Sequence, residues 1–397
     1  MLDLTKCPSL KYFLFGSLYF AEGLIFALTT VILVLFFTEK NISIEITTLV
    51  GGIAFVPWML KFLFGPTIDF FGRYGRKTFC IIGGMIGAIS LFIVAFVDPK
   101  IAIIPFTALL FIGHSGIVLL DVSADAWAIQ TTKVNERGKV NAAMYIGLFG
   151  GSAIGGILLS CIATFYGFEI VFIITGFLIL LSLILALFVK EHKLDIKRKI
   201  IKKLLIKEFK KRNTLIVLFF CVLVAMNFGM LMFVIPDYMQ KVLLLDKIQT
   251  GLLASVNPIS LVMGATIGGS LSDKVGRKKI LYVSLLGLLI SSAFLATCDT
   301  WEKLGIIYAI IGFCTGASLY STIGALLMDV TNPKIGGTQY SFLASISNLG
   351  ELGIGMVSGS LLLYFGHFRF FLYTAVIIGA SLLTLYFVKE TIDKNSS

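Results

Sequence analysis

Continuous apolar runs of about twenty residues recur along this chain, and a helical run of that length matches the hydrocarbon thickness of a bilayer. Twelve are read, near 11–37, 46–68, 78–97, 101–129, 139–164, 168–189, 214–236, 248–270, 280–297, 301–328, 338–364 and 368–388. A transmembrane β-barrel would need shorter segments of alternating polarity, and these runs do not alternate. Composition agrees, since 57% hydrophobic and 14% charged residues leave too little polar surface to cover a soluble domain of 397 residues. The sequence therefore predicts an all-α integral membrane protein of twelve transmembrane helices. The N-terminal stretch runs into the first span without a small-residue cleavage site and is read as a retained helix.

Between the sixth and seventh spans lies Lys190 to Asn213, with eleven Lys or Arg against Glu191, Asp195 and Glu208. It divides the chain into a six-helix bundle over 1–189, a linker over 190–213 and a second bundle over 214–397. Apolar Ile196, Ile200, Ile201, Leu204, Leu205 and Phe209 recur at helical spacing inside the linker. A basic amphipathic helix lying on anionic inner-leaflet lipids fits that pattern, with a calmodulin-target-like helix as the other reading. The net charge of +11 follows from topology rather than from a nucleic-acid partner. With both termini cytoplasmic, the 33 Lys and Arg divide into 26 inside, six outside and Lys61 within a span.

One loop pattern occurs twice. Gly65-x-x-x-Asp69-x-x-Gly72-Arg73 returns with its spacing intact as Gly269-x-x-x-Asp273-x-x-Gly276-Arg277, 204 residues on. Asp125 and Asp329, toward the ends of the fourth and tenth spans, are also 204 apart. A duplicated membrane unit predicts such pairs. The pattern resembles the loop signature of the major facilitator superfamily. That resemblance implies a gate relay at the cytoplasmic rim made of Asp69, Gly72, Arg73 and Asp125, repeated as Asp273, Gly276, Arg277 and Asp329.

A narrower likeness is carried by Pro57-Trp58-Met59-Leu60-Lys61-Phe62-Leu63-Phe64-Gly65-Pro66-Thr67-Ile68-Asp69, by Leu120-Asp121-Val122-Ser123-Ala124-Asp125-Ala126-Trp127, and by Glu136-Arg137-Gly138. These, with Gly337-Thr338-Gln339-Tyr340 and Ser347-Asn348-Leu349-Gly350, are similar to motifs of the muropeptide permeases and acetyl-CoA transporters. Phe149 stands where a muropeptide permease is expected to carry an intramembrane arginine.

Ionisable residues in mid-span are costly, so Glu22, Lys61, His114, Asp121 and Glu351 make a short and informative list. Lys61 precedes Asp69 by eight residues, which at ~1.5 Å per residue puts it about 12 Å into the membrane. Glu22 reaches a similar depth, and Asp121 lies one turn deeper than Asp125 on the same helix face. Two readings stand for Lys61 with Glu22 or Asp121: a proton-coupled cavity, or a structural ion pair. Glu351, Asn348 and Tyr145 complete the candidate cavity, and His114 beside Ser115 reads as a packing residue.

Six cysteines show no paired or metal-ligand spacing, and neither a Walker motif nor a nucleophile or zinc motif occurs, which argues against an ATP-driven pump and against an enzyme. No cofactor is called for. The expectation is a monomeric secondary transporter of the inner or plasma membrane, working by alternating access and coupled to protons, with no nucleic-acid partner. Its solute is expected to be a muropeptide-like glycopeptide, sugar or peptide, with drug or metabolite efflux as the alternative.

Overall fold

Apolar side chains cover both the lipid face and the core of a bundle, so local punctuation sets where each helix stops. The computed structural model describes residues 8–70, 74–132, 137–191, 207–331 and 336–389. Helix α1 (Pro8–Ala27) continues through a π-helical turn, Leu28–Ile32, into α2 (Leu33–Glu39). After Ser43, whose side chain caps the next helix, come α3 (Ile44–Met59) and α4 (Lys61–Phe70). Then follow α5 (Arg76–Val94), α6 (Ile103–Thr131), α7 (Arg137–Tyr166) and α8 (Phe168–Phe188). The second half has α9 (Arg212–Lys241), α10 (Lys247–Val275), α11 (Arg277–Leu295) and α12 (Trp301–Thr315). Helix α12 passes through a π-helical segment, Gly316–Ile323, into α13 (Gly324–Asp329), and α14 (Gly336–Phe387) ends the described fold.

Among the described residues, ten helices are long and apolar enough to cross a membrane. Two local features separate that number from the twelve apolar runs. Pro57, which cannot donate a backbone hydrogen bond, precedes a break at Leu60 (φ −92°, ψ 10°) that splits one run into α3 and α4. Gly366 (φ 71°, ψ 162°) breaks α14 internally, so two runs lie within one continuous assignment. Of the amphipathic helix expected in the linker, residues 192–206 lie outside the described residues, and Phe209 stands in a short helical stretch, 207–209.

The turns and the linker define two ends of the bundle. The end that carries Val189 and Arg212 is here the linker end; the end that carries Asn41 and Asp246 is the far end. At the far end the two halves are sewn together. Helix α7 packs on α10, α3 on α14, and α2 on α9. Ser255 donates to the Ala153 carbonyl at 2.7 Å, the Gly359 amide donates to Thr48 Oγ1 at 3.2 Å, and Lys247 pairs with Glu39. This closeness depends on missing side chains: a Cβ on Gly359 would stand 2.5 Å from the Ile44 carbonyl oxygen. A small apolar cluster, Val34, Phe55, Met232, Phe233 and Leu352, bridges the halves below that seam.

The repeated loop resolves into a register finding. Gly75 (φ 89°) leads directly into α5, and Gly276 (φ 103°) leads directly into α11; both take the left-handed side of φ that glycine tolerates. Two residues into each helix, a lysine reaches the end of the last helix of its half. Lys77 Nζ donates to the carbonyls of Leu187 (2.7 Å) and Val189 (2.9 Å), and Lys278 Nζ to those of Tyr386 (3.1 Å) and Val388 (2.9 Å). The counterpart of Gly276-Arg277 is thus Gly75-Arg76, 201 residues earlier, and not Gly72-Arg73; the first loop is three residues longer. Helices α6 and α12–α13 begin and end 198 residues apart, 103 against 301 and 131 against 329, so Asp329 falls opposite Thr131 and not opposite Asp125.

Candidate functional site

Three helices carry charge to the middle of the first half. Helix α6 presents His114, Asp121 and Asp125 at i, i+7 and i+11, which at 100° per residue form one stripe. Helix α4 opens with Lys61 at the Leu60 break, and α1 contributes Tyr19 and Glu22, one turn apart. Lys61 Nζ is in ion-pair contact with Asp121 and lies 3.7 Å from Asp125 Oδ2. The Tyr19 hydroxyl donates to the other Asp125 oxygen. The Asp121 side chain is 1% exposed, against 30% for Lys61 and 42% for Asp125, so the cluster is sealed at depth and opens toward the linker end.

Glu22 is buried on the same helix as Tyr19, within the electrostatic reach of Asp121, Lys61 and Asp125, and its Oε2 meets no hydrogen-bond partner among the described residues. A buried carboxylate oxygen without a donor is costly whenever it is charged. Counted as ions, Glu22, Asp121 and Asp125 set three negative charges against one Lys61. The surplus is the chemical property of the site.

From Glu22 the face of α1 continues through Phe26 to Thr30, where a narrow cleft between the halves is also lined by Phe149, Ser152, Phe228 and Asn257. Aromatic rings make a continuous wall across it. Tyr145 stacks on Phe149 (5.9 Å, 10°), Phe149 meets Tyr320 edge-on (5.2 Å, 80°), Tyr320 meets Phe228 (6.0 Å), and Phe228 stacks on Phe26 (6.4 Å). The polar groups there are few. The Asn257 amide already donates to the Tyr308 carbonyl at 3.2 Å.

The other sequence candidates fall as follows. Glu351 is buried on α14 near Tyr320, and Asn348 is half-buried one turn before it. Asn227 donates to Ser292 Oγ and the Thr374 carbonyl, cross-linking helices. Asp125, expected with the gate relay, contacts Lys61 and Tyr19 instead of lying apart from them. Gly72 and Arg73 lie outside the described residues, as do the side chains of Asp69, Asp273 and Asp329. Of the second loop, Arg277 Nη1 donates to the Ala325 carbonyl at 2.6 Å, tying α11 to α13. The motif reading passed over Tyr19, Trp58 as a ring beside Lys61, and the aromatic wall. Tyr19 was open to discovery, because its place three residues before Glu22 puts both on one face of α1.

The chain is 27% identical to the multi-drug resistance efflux pump PmrA of Streptococcus pneumoniae, over 98% of this chain and 100% of that one. It is 23% identical to the anhydromuropeptide permease of Escherichia coli, over 94% of this chain and 79% of that one. Its fold is similar to the crystal structure of a bacterial homologue of the human lysosomal transporter Spinster in an inward-facing, unoccupied conformation, with a TM-score of 0.77 and 13% identity over 96% and 97% of the two chains. The family model described as Major Facilitator Superfamily matches residues 15–226 and again 217–397, and the chain accordingly belongs to that superfamily of membrane transporters.

Proposed function

We propose that this chain is a proton-coupled secondary transporter of the inner or plasma membrane, with both termini cytoplasmic, and that it exchanges protons for a small amphipathic organic cation. The observation that carries the reading is Glu22: a buried carboxylate with an unpartnered oxygen, in a cluster with surplus negative charge, one helical turn from Phe26, which lines an aromatic cleft shared by both halves. A proton or the cationic end of a solute can each neutralise that charge, and they exclude one another there. Competition for one carboxylate yields antiport once the site alternates between the two sides. The aromatic wall suits the apolar body of such a solute, and rings also attract cations. Similarity to an efflux pump along the full chain supports this class. The loop residues Asp69, Gly72, Arg73, Asp273, Gly276, Arg277 and Asp329 belong to this proposal as the latch of the linker-end gate.

A second reading, uptake of a muropeptide-like glycopeptide, sugar or peptide, is favoured by the Pro57–Asp69 segment and by the similarity to the anhydromuropeptide permease. A sugar-rich solute needs many fixed hydrogen-bond partners, and the cleft offers Thr30, Ser152 and Asn257. Proteoliposomes separate the two. Ethidium should accumulate when the interior is the acidic side and not when the gradient is reversed, whereas a labelled anhydromuropeptide should not follow either gradient. Gradient-independent ethidium entry would refute antiport, and gradient-driven glycopeptide accumulation would favour the second reading.

A further inference from the structure

His114 is fully buried, and both of its ring nitrogens are engaged. Trp58 Nε1 lies 3.2 Å from His114 Nδ1, and an indole N–H can only donate, so Nδ1 is the bare, accepting nitrogen. The proton of the neutral ring therefore sits on Nε2, which donates to Thr29 Oγ1 at 2.9 Å. Thr29 passes its own hydrogen to the Ile25 carbonyl at 2.9 Å, within the π-helical turn of the first helix. Phe55 closes the ring edge-on at 4.8 Å. The imidazole is thus locked in one tautomer between two helix irregularities: the π turn after α1 and the break after α3.

Trp58 is the last residue but one before that break, and its ring lies 5.9 Å from Lys61 Nζ. One stripe of α6 consequently grips the broken helix at two points. Asp121 and Asp125 hold the ammonium of Lys61, and His114, seven residues earlier, holds the indole beside it. The regular helical geometry that would otherwise fix Lys61 relative to Trp58 is interrupted at Leu60, which lies between them. The side-chain bond from Trp58 to His114 supplies that constraint.

We propose that His114 is a positioning residue of the coupling site, which anchors Trp58 beside Lys61 and so holds the lysine in place against Asp121. The geometric half of the inference stands on the contacts themselves; its consequence for transport rests on the proton-coupled reading above. In a background with Trp127→Phe and Trp301→Phe, Trp58 is the sole tryptophan. There His114→Leu should move Trp58 emission to shorter wavelength as the buried indole loses its acceptor to an apolar side chain, while His114→Gln, which keeps one acceptor and one donor, should not. In proteoliposomes, His114→Leu and Trp58→Phe should each slow pH-gradient-driven ethidium accumulation roughly tenfold, the cost of a small misplacement at a reacting group. The double variant should be no slower than either single one, because the two act through one bond. An unmoved Trp58 emission in His114→Leu would overturn the anchor. A moved emission with undiminished accumulation would overturn the role in coupling, and equal losses in His114→Leu and His114→Gln would reduce His114 to packing. If the wild type accumulates no ethidium, the transport reading fails, and the emission shift still decides the anchor.

Discussion

The two halves share a scaffold but not a chemistry. Their linker-end turns match in detail, from the left-handed glycines Gly75 and Gly276 to the lysines that tie α5 to the end of α8 and α11 to the end of α14. Their far-end loops place an acid at matching positions, 201 residues apart, though with different partners: Asp98 pairs with Lys40 of another loop at 3.2 Å and Asp299 with Lys303, one turn on, at 2.6 Å. The interiors diverge. Positions 204 residues beyond Tyr19, Glu22 and Lys61 are Leu223, Met226 and Ala265, and the helix matching α6 carries acids only at its two ends, as Glu302 and Asp329. The second half contributes rings and Glu351 instead. The difference separates two demands. Rocking about a central site needs matched frames, whereas coupling needs one charged cluster, and intramembrane charge is costly to duplicate.

The sharpest way to break that comparison is to remove the charge from the charged half. Lys61→Ala leaves the buried Asp121 carboxylate without its cation, and stranding one partner of a buried pair costs about 3–5 kcal/mol. Thermal unfolding in detergent should fall accordingly, and gradient-driven accumulation should vanish. Ala265→Ser at the counterpart position should stay within about 0.5 kcal/mol. Equal losses from the two substitutions would erase the asymmetry.

Much of this was legible before any coordinates, for a physical reason. Lipid demands long apolar runs, so the helix ends fall within a few residues of their expected places, and depth grouped Lys61 with Glu22 or Asp121, of which Asp121 makes the ion pair. The register of the repeat was not legible. Both Gly72 and Gly75 are followed by arginine, and only the backbone distinguishes the glycine that turns into the helix. Asp125 was assigned to the rim because chain position does not reveal that Lys61, at a helix break, lies within 3.7 Å of it. The aromatic wall was hidden for a different reason: in a chain with 35 phenylalanines, those facing a cleft and those facing lipid look alike.

A wedge tests the frame that the halves share. Gly359→Val would push side-chain atoms into the Ile44 and Thr48 backbone and hydroxyl, an overpacking worth about 1–3 kcal/mol against the sewn state. Cysteines placed in the far-end half of the cleft should then become more accessible to a membrane-impermeant thiol reagent. Unchanged labelling would mean that the glycine seam does not hold the far end shut.

Smaller effects sharpen the register. Lys77→Met and Lys278→Met each remove one ammonium from two terminal carbonyls, and each should cost about 1 kcal/mol. Similar shifts in unfolding temperature would support the 201-residue correspondence, and a large loss from one alone would count against it. Smallest of all is the pH response of the far-end loops. The Lys100 amide and the Lys40 side chain hold Asp98 below its ordinary range, and the Lys303 side chain does the same for Asp299. Both stabilising contributions are present above the ordinary carboxylate value near 4 and fade as pH falls through the lower folded values. Acid titration of Asp98→Asn and Asp299→Asn should therefore show matching slight losses of the low-pH dip in stability; a dip retained in one variant alone would separate the loops.

The central claim is that the exchangeable proton resides in the first half, on Glu22 of the Lys61 cluster. Its most direct test is proton release in weakly buffered detergent solution as ethidium is added, compared between the wild type, Glu22→Gln and Glu351→Gln. The account predicts release from the wild type, little or none from Glu22→Gln, and near-wild-type release from Glu351→Gln. Release that survives in Glu22→Gln and disappears in Glu351→Gln would place the proton in the second half and contradict it.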